Sequence, residues 1–391
     1  MFIKNVALVD VRKGELISPA HILIEGGQVV SVIHGEGPGS FPGNEAVDAQ
    51  GLFALPGLID CHVHLVWDGS DDPNADIQGV DDEVLAITMA RHATETLKLG
   101  ITTVRDVGSP RNVGFAVREA LRRGLIAGPN LLISGPPICM TGGHVYTLGI
   151  ESDGVDEVRK SVRQLLKKGV DAIKLMASGG VYTEGEEPAS PQLTVEEMAV
   201  AVEEAHKKGV KAAAHAEGLT GIMNALKAGV DTIEHGNLAS QEAWDIFLDQ
   251  GTYLIPTLMV FKRLAEAGPE TGTPEYAVLK SRHLHEAHFK NFREAVASGV
   301  KIAAGTDGNS PRLPEAMYFD ELLVMHELGM SKAAVLQAAT VNAAEALGRD
   351  DLGSIEAGKR ADLLLLSVNP LDDLNIRDKI VKIIKDGVAV S

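Results

Sequence analysis

Short apolar runs alternate with longer amphipathic stretches through most of the chain. The apolar runs have the length and composition of buried strands, and they lie at residues 54–64, 101–107, 130–135, 171–180, 211–218, 231–236, 252–258 and 301–308. Between most of them the apolar residues recur with helical spacing, as at 153–169 and 194–209. Several of these stretches end in Gly-Val, where the glycine ends a helix and the valine begins the next strand.

This repeated order predicts an α/β fold, a (β/α)8 TIM barrel that extends over about 290 residues, near the usual size for that architecture. The alternative is an open doubly wound sheet, which needs a glycine-rich phosphate-binding turn after its first strand. In this chain the first strand ends instead in His62-Val63-His64. We therefore favour the barrel.

The two ends of the chain follow a different pattern. Residues 5–11, 21–27 and 28–34 are short strand-like runs separated by glycine and proline, and residues 353–368 and 378–390 resemble them. We expect the two ends to pair with each other. The predicted organisation is a small composite β-sandwich domain made of residues 1–56 plus 349–391, and a barrel made of residues 57–348.

Composition excludes several classes of partner. The chain has 391 residues and a formal net charge of −18, and this acid excess argues against a nucleic acid or an anionic membrane. We find no signal-peptide pattern and no apolar stretch of membrane-spanning length, so a cytoplasmic location is expected. The two cysteines, Cys61 and Cys139, are too few for a disulfide framework. A small-molecule substrate remains compatible with all of this.

Candidate metal-binding residues lie at the ends of five predicted strands, where barrel enzymes place their active sites. The candidates are His62, His64, Lys174, His215, His235 and Asp307. Any one of them alone could be a solvated polar strand end, but the repetition at five strand ends favours a metal site. Nitrogen and oxygen donors without a thiolate suit Zn²⁺, and also Mn²⁺, Co²⁺ or Fe²⁺.

Lys174 is unusual because it lies between the apolar residues Ile173 and Leu175. One interpretation is a lysine paired with an acid across the barrel. The other is chemical: burial lowers the pKa of an amine, and a neutral amine can add carbon dioxide to form a carbamate. The two oxygens of such a carbamate could bridge two metal ions.

These residues carry a resemblance to a known family. The motifs LPGLIDCHVH and GTDG, together with Lys174, His215 and His235, resemble the amidohydrolase superfamily, as does the tail TVNAAEALGRDDLGSIEAGKRADLLLL. Within that superfamily, TGGHVY at 141–146 and IKLMASGGV at 173–181 are similar to the prolidase-like branch. That branch includes Xaa-Pro dipeptidases and carboxypeptidases that act on dipeptides or N-acyl amino acids.

The resemblance implies a binuclear, metal-dependent hydrolase of amide bonds. It implies two divalent ions, zinc being the expected metal, and carbon dioxide carried as the N6-carboxyl group of Lys174. A hydroxide bridging the metals would attack the carbonyl, Asp307 would move the proton, and His144 would bind substrate by polarising the scissile carbonyl. By analogy with such families, a homo-oligomer is expected.

One departure from the branch bears on the substrate. The branch often has a tyrosine shortly after the seventh strand, where this chain has Phe261. Tyr182 and Tyr146 lie in loops and are candidates to compensate, Tyr182 as a substrate-binding residue. The alternative substrates are therefore a cyclic amide, a carbamate or a xenobiotic amide. A deaminase using Glu217 is a further alternative, against which Lys174 argues.

Two other groups of polar residues have open interpretations. Arg105 and Asp106 end the second strand, either as a structural ion pair or as substrate contacts. His285 and His288 share a helix face, which we interpret as solvated rather than as a second metal site.

Overall fold

The protein has a mixed α/β fold, described here from a computed structural model. The structure describes residues 1–41, 43, 45–70, 77–268, 271–309 and 314–390. The strands are β1 Phe2–Asp10, β2 Glu15–Glu25, β3 Gln28–His34, β4 Ala46–Asp48, β5 Phe53–Pro56, β6 Leu58–Val63, β7 Ile101–Asp106, β8 Asn130–Ile133, β9 Ile138–Cys139, β10 Ile150–Glu151, β11 Ala172–Met176, β12 Lys211–Ala216, β13 Thr232–His235, β14 Tyr253–Ile255, β15 Lys301–Ile302, β16 Leu363–Leu366, β17 Ile380–Lys385 and β18 Val388–Ala389.

Helices fill most of the connections between the central strands. They are α1 Asp82–Lys98, α2 Val113–Arg122, α3 Val155–Lys168, α4 Val195–His206, α5 Leu219–Ala228, α6 Gln241–Gln250, α7 Leu258–Glu266, α8 Glu275–Ser298, α9 Tyr318–Glu327, α10 Lys332–Ala338 and α11 Val341–Ala346. Short 3₁₀ turns occur at Glu315–Met317 and Arg377–Lys379. Within the described ranges, no helix combines the length and the hydropathy needed to cross a membrane.

Strands from both ends of the chain form one sheet, as the sequence predicts. The order is β18-β17-β16-β5-β1-β2-β3, with β4 paired to β1. The C-terminal strand β16 lies between β17 and the N-terminal strand β5 and is antiparallel to both. All four leucines of β16 are buried, so this contact carries apolar packing as well as hydrogen bonds.

The central strands form two parallel ladders, β6-β7-β8 and β10-β9-β11-β12-β13-β14-β15. Backbone hydrogen bonds connect the ladders: the Cys61 N–H donates to the Ala304 carbonyl, and the Asp171 N–H donates to the Ile133 carbonyl. Within the described strands the pairing does not close into one continuous ladder. Because neighbouring strands are parallel, their carboxyl ends lie at the same edge.

Each of the eight predicted central runs contains a strand, but the first run is divided. Residues 54–64 form β5, which belongs to the terminal sheet, and β6, which belongs to a central ladder. Gly57 separates them at a close contact, because a Cβ there would lie 2.1 Å from Thr102 Oγ1. The two-residue strands β9 and β10 were not predicted, since so short a segment leaves no periodic pattern.

Candidate metal centre

Three of the predicted ligands meet directly. One ligand atom from each of His62, His235 and Asp307 lies within 4.8 Å of the others. His64 joins them, because its Nε2 is 3.4 Å from Asp307 Oδ1, close to the 3.5 Å that separates His62 Nε2 from the same oxygen. His62 lies near the carboxyl end of strand β6, and His64 is the first residue after that strand.

Lys174 and His215 complete the group of predicted ligands. The ring centroids of His215 and His235 are 4.7 Å apart. Lys174, in β11, is 1% exposed, and its Nζ makes no hydrogen bond within the described part of the chain. All six predicted ligands line one cavity: His62, His64, Lys174, His215, His235 and Asp307.

The two histidines of the His-x-His motif each have one ring nitrogen engaged outside the cavity. His62 Nδ1 is 2.7 Å from Glu234 Oε2, and His64 Nδ1 is 3.2 Å from the Gly108 carbonyl. Partners of this kind fix the tautomer and orientation of a metal-binding imidazole. The Nε2 atom of each ring is left facing Asp307.

The other two histidines follow the same arrangement. His215 Nε2 is 3.0 Å from the Gly179 carbonyl, and His235 Nδ1 is 2.7 Å from Thr257 Oγ1. Each ring therefore keeps its second nitrogen for the cavity. Four imidazoles oriented in this way fit a metal site better than a cluster of core histidines, whose nitrogens would be paired with one another.

Burial keeps the four rings neutral. Desolvation, reinforced by the nearby Lys174 ammonium, lowers the pKa of His64 to about 3 and lowers the pKa of His62, His215 and His235 well below the ordinary value. Neutral imidazole is the form that binds a metal ion. Desolvation also lowers the pKa of Lys174 to about 8, which brings its amine near the neutral form at physiological pH.

Three residues of the site adopt a left-handed backbone conformation. The φ angles are 71° at His235, 48° at Thr257 and 61° at Asp307. Side chains other than glycine adopt this conformation at a cost, which is commonly found at functional sites. The left-handed conformation of His235 ends strand β13 and changes the direction of the His235 side chain.

His144 lies in the segment between β9 and β10, against the metal-ligand group. Its ring stacks on His215 with centroids 4.3 Å apart, and burial lowers its pKa to about 3. Its Nδ1 is 3.2 Å from both Glu186 Oε2 and Thr183 Oγ1. A Cβ at Gly180 would lie 2.3 Å from the His144 ring, so only glycine fits beneath it.

The remaining cavity residues include Tyr182, Phe261 and Glu217. Tyr182 is 6% exposed and lines the cavity, which is where a substrate-binding side chain must lie. Phe261 packs edge-on against His235, with ring centroids 5.7 Å apart. Its position presents an aromatic ring, without a hydroxyl, to the site.

The expectation of a solvated face at His288 is wrong. His288 is 1% exposed, and its Nε2 is 3.1 Å from the His235 carbonyl. Helix α8 places the His288 side chain behind the site, where it packs against Phe261 with ring centroids 4.9 Å apart. His285, on the same face, is partly exposed and lies beside Glu286.

Arg105 is a buried structural cation, but its partner is Glu234 rather than Asp106. Its guanidinium donates to Glu234 Oε1 at 2.8 Å, and to the Cys61 carbonyl at 2.6 Å. Asp106 instead accepts from the Leu65 N–H at 2.9 Å. Arg105 therefore holds Glu234, which in turn holds His62.

Glu234 was not predicted from the sequence. It precedes His235 in β13, and strict strand alternation would direct these two side chains to opposite faces. Both nevertheless contact His62, Glu234 by a hydrogen bond and His235 with ring centroids 5.1 Å apart. The sequence feature that could have identified Glu234 is an acidic residue inside a short apolar strand.

Comparisons with known proteins identify the family of the chain. Residues 53–390 match the sequence profile of the amidohydrolase family. Ochratoxinase from Aspergillus niger is 32% identical over 352 residues, which cover 82% of this chain and 72% of that enzyme.

Two solved structures superpose on the whole chain. A Xaa-Pro dipeptidase with methionine bound in its active site has a TM-score of 0.92 at 33% identity, covering 100% of this chain and 99% of the other. A prolidase complexed with N-methylphosphonate-L-proline has a TM-score of 0.91 at 29% identity, with 100% and 99% covered. The chain therefore belongs to the amidohydrolase family, in its prolidase-like branch, and is a metal-dependent amidohydrolase.

Proposed function

We propose that this enzyme hydrolyses an amide bond in dipeptides or N-acyl amino acids, using two divalent metal ions. The observation that carries the proposal is the Lys174 amine, which is buried among four neutral imidazoles and makes no hydrogen bond to any residue that the structure describes. An unpartnered ammonium in that position is costly, whereas a carboxylated lysine offers two oxygens as ligands.

His62, His64, Lys174, His215, His235 and Asp307 would hold the two ions, with zinc expected from the donor atoms. When bound, the ions lower the pKa of water and polarise a carbonyl oxygen. The chain itself orients the ligands through Glu234 and Thr257, and it lines the cavity with apolar side chains such as Val181 and Val260.

Asp307 is the proposed proton shuttle. Its Oδ1 lies within 3.5 Å of two histidine nitrogens, and its side chain is 13% exposed, which leaves it access to the cavity. Its carboxylate would take a proton from the attacking water and deliver that proton to the leaving amine nitrogen. Both transfers occur at one position, because the attacking and leaving groups are bound to the same carbon.

His144 is the proposed donor to the carbonyl oxygen. A donor held in place before the reaction stabilises the charge that develops on that oxygen. The stacking on His215 places the His144 ring beside the ligand group. Contacts with Glu186 and Thr183 hold its Nδ1 side, so that Nε2 is the atom available to the substrate.

The relatives support a substrate with an amide bond to an amino acid. The similar structures are described as a Xaa-Pro dipeptidase and a prolidase, and the similar curated enzyme as ochratoxinase. Phe261 favours a second candidate substrate, which is a cyclic amide, a carbamate or a xenobiotic amide. An aromatic ring at that place packs against apolar groups but offers no hydroxyl to a carboxylate.

We further propose that the two central ladders act together as a (β/α)8 barrel of residues 57–348. The hydrogen bonds from Cys61 to Ala304 and from Asp171 to Ile133 support this arrangement. The sheet formed by both ends supports a separate composite β-domain of residues 1–56 plus 349–391.

The experiment that tests the proposed function is metal content per chain, together with high-resolution density at Lys174. We expect two ions and carboxyl density on Nζ, with Lys174→Ala losing metal and Lys168→Ala, at the end of α3, retaining it. A library of dipeptides and N-acyl amino acids should then yield a substrate. One ion with an unmodified lysine would contradict the binuclear mechanism.

A further inference from the structure

One acidic side chain in the cavity has no place in the proposed mechanism. The acidic and basic residues that line the cavity are His62, His64, His144, Lys174, His215, Glu217, His235 and Asp307. The proposed function uses all of these except Glu217. Glu217 is 1% exposed, so bulk water does not compensate its carboxyl group.

The position of Glu217 is fixed from several directions. Its backbone N–H donates to Ser178 Oγ at 3.0 Å, and its carbonyl accepts from the Leu238 N–H at 3.0 Å. Its Oε1 lies 3.5 Å from His215 Nε2. Its Oε2 makes no hydrogen bond within the described ranges, so this oxygen is the part of the side chain left for a ligand.

No cationic side chain in the described part of the protein pairs with Glu217 Oε2. Lys280 lies near enough for its charge to act on Glu217. Its ammonium nevertheless donates to the carbonyls of Thr183, at 2.8 Å, and Gly180, at 3.4 Å. Lys174 lines the same cavity, but the proposed function assigns its amine to the metal ions. A buried carboxyl oxygen without a partner favours a ligand that brings its own positive charge.

We propose that Glu217 binds the free α-ammonium group of the substrate, so that the enzyme acts on unblocked dipeptides in preference to N-acyl amino acids. This inference rests on the proposed function and narrows its substrate class. An ammonium would donate to Glu217 Oε2, and Oε1 would stay beside His215.

The spacing of the site agrees with this assignment. His144 stacks on one face of His215, with centroids 4.3 Å apart, and Glu217 lies 3.5 Å from the Nε2 atom of the same ring. The residue proposed for the carbonyl oxygen and the residue proposed for the amine are thus neighbours. In a dipeptide the α-amino nitrogen and the scissile carbonyl carbon are joined through a single carbon atom, so both groups can be held at once.

A matched pair of substrates tests the assignment. L-alanyl-L-phenylalanine and N-propionyl-L-phenylalanine differ only in an ammonium group in place of a hydrogen. The corresponding pair with methionine in place of phenylalanine, L-alanyl-L-methionine and N-propionyl-L-methionine, provides a second comparison. We expect the wild-type enzyme to favour the alanyl substrate in kcat/KM by about ten- to hundredfold, the range for one charge-assisted hydrogen bond.

The variant Glu217→Gln should bring that ratio close to one, mainly by slowing hydrolysis of the alanyl substrate. Glu184→Gln removes the same charge from an exposed side chain of the loop after β11 and should keep the wild-type ratio. Metal content and thermal unfolding of both variants show whether the fold is retained. A wild-type ratio near one, or an unchanged ratio in Glu217→Gln, overturns the inference.

Failure of the proposed function gives a different result. If the wild-type enzyme hydrolyses neither compound and no member of the dipeptide and N-acyl amino acid library, the proposed peptidase activity is wrong, and titration calorimetry with the same pair decides the inference. Tighter binding of the alanyl compound, lost in Glu217→Gln and kept in Glu184→Gln, supports it. Equal binding of the two compounds, or binding of neither, overturns it.

Discussion

His144 depends for its orientation on side chains of the segment that follows β11. Glu186 Oε1 accepts from Gln192 Nε2 at 2.6 Å, and Gln192 Oε1 accepts from the His144 backbone N–H at 3.0 Å. Glu186 Oε2 contacts the ring itself. The loop therefore holds both the backbone and the imidazole of His144.

Replacing Glu186 should slow the chemical step more than it weakens substrate binding. For Glu186→Ala we expect kcat to fall about ten- to hundredfold with KM near the wild-type value, because a misplaced donor loses stabilisation only in the transition state. Glu186→Gln should restore part of kcat, since its amide oxygen still accepts a hydrogen bond. Steady-state kinetics checks this, with Glu187→Ala, exposed on the same loop, as the control. Equal loss in Glu186→Gln and Glu186→Ala would contradict a positioning role.

Gly180 should be intolerant of any side chain. A Cβ would lie 2.5 Å from His144 Nε2, so Gly180→Ala must displace the imidazole. We expect a loss of kcat comparable to that of Glu186→Ala, with two metal ions still bound. Gly39→Ala, where nothing lies within 4 Å, is the control for the substitution itself. Crystallography or activity that shows an unmoved, functional His144 would refute the argument.

The sequence identified the polar residues that line the cavity but not those that orient them. The metal-ligand candidates were recognisable because histidine, lysine and aspartate stand out at the ends of apolar runs. Thr257 carries no such signal, and Glu234 only that of an acidic residue inside a short apolar strand. Their contacts with His235 and His62 require tertiary structure, and in both cases a left-handed backbone nearby breaks the regular alternation. Phe261 was predicted at the site and is there.

At the scale of elements, helix α7 begins without the usual side-chain cap. Thr257 occupies the N-cap position, but its hydroxyl contacts His235 instead of the first turn. Glu321 of α9 takes over this task, because its two carboxyl oxygens accept from the N–H groups of Leu258 and Met259, each at 2.8 Å. The start of α7 and the orientation of His235 are thus coupled through one threonine.

Glu321 gives stability a pH dependence of known sign. Burial outweighs the two N–H contacts and raises the pKa of Glu321 to about 8. Between its unfolded value, near 4.5, and pH 8 the folded protein holds a proton that the unfolded chain releases. The contribution of this group to the free energy of unfolding therefore falls as pH rises through that window.

Glu321→Gln should remove this dependence. We expect the free energy of unfolding of the variant relative to wild type to increase between pH 5 and pH 7.5, by at most about 1.4 kcal/mol per pH unit. Urea unfolding at the two pH values measures it. Glu327→Gln, exposed at the end of the same helix, should show no such trend. A pH-independent difference for Glu321→Gln would mean that the carboxylate is ionised in the folded protein.

At the scale of the whole molecule, the pairing of the two chain ends was predictable because both ends carry strand patterns unlike those of the middle. The order of the strands was not predictable, since nothing in the pattern places β16 against β5. That order carries a consequence. Deleting residues 363–391 removes β16, β17 and β18, which leaves β5 at the edge of the sheet and exposes apolar side chains of the same core, such as Ala54 and Ile355.

We therefore expect deletion of residues 363–391 to abolish cooperative folding, whereas deletion of residues 387–391 should be tolerated. The shorter deletion removes only β18, a two-residue strand at the edge of the sheet. Soluble yield and thermal unfolding distinguish the two cases. A stable, active protein after the longer deletion would show that the central ladders fold independently of the terminal sheet.

The proposed metal ions should also stabilise the molecule as a whole, because the residues proposed to bind them come from both central ladders. His62 and His64 come from β6 and the residue after it, whereas Lys174, His215 and His235 come from β11, β12 and β13 of the other ladder. Ions that bind only the folded chain raise the free energy of unfolding according to their affinity. Removing them with a chelator at constant pH should lower the melting temperature, and added Zn²⁺ should restore it.

The variant Lys174→Ala separates this effect from a direct action of the chelator. If Lys174 supplies bridging ligands, the variant binds less metal, starts from a lower melting temperature and shows a smaller shift on chelation. Lys168→Ala, on the surface at the end of α3, should shift as the wild type does. Chelation that strips the metal but leaves the wild-type melting temperature unchanged would mean that contacts within the protein, such as Arg105 with Glu234, join the two ladders without help from the ions. The site would then serve catalysis without contributing to the stability of the fold.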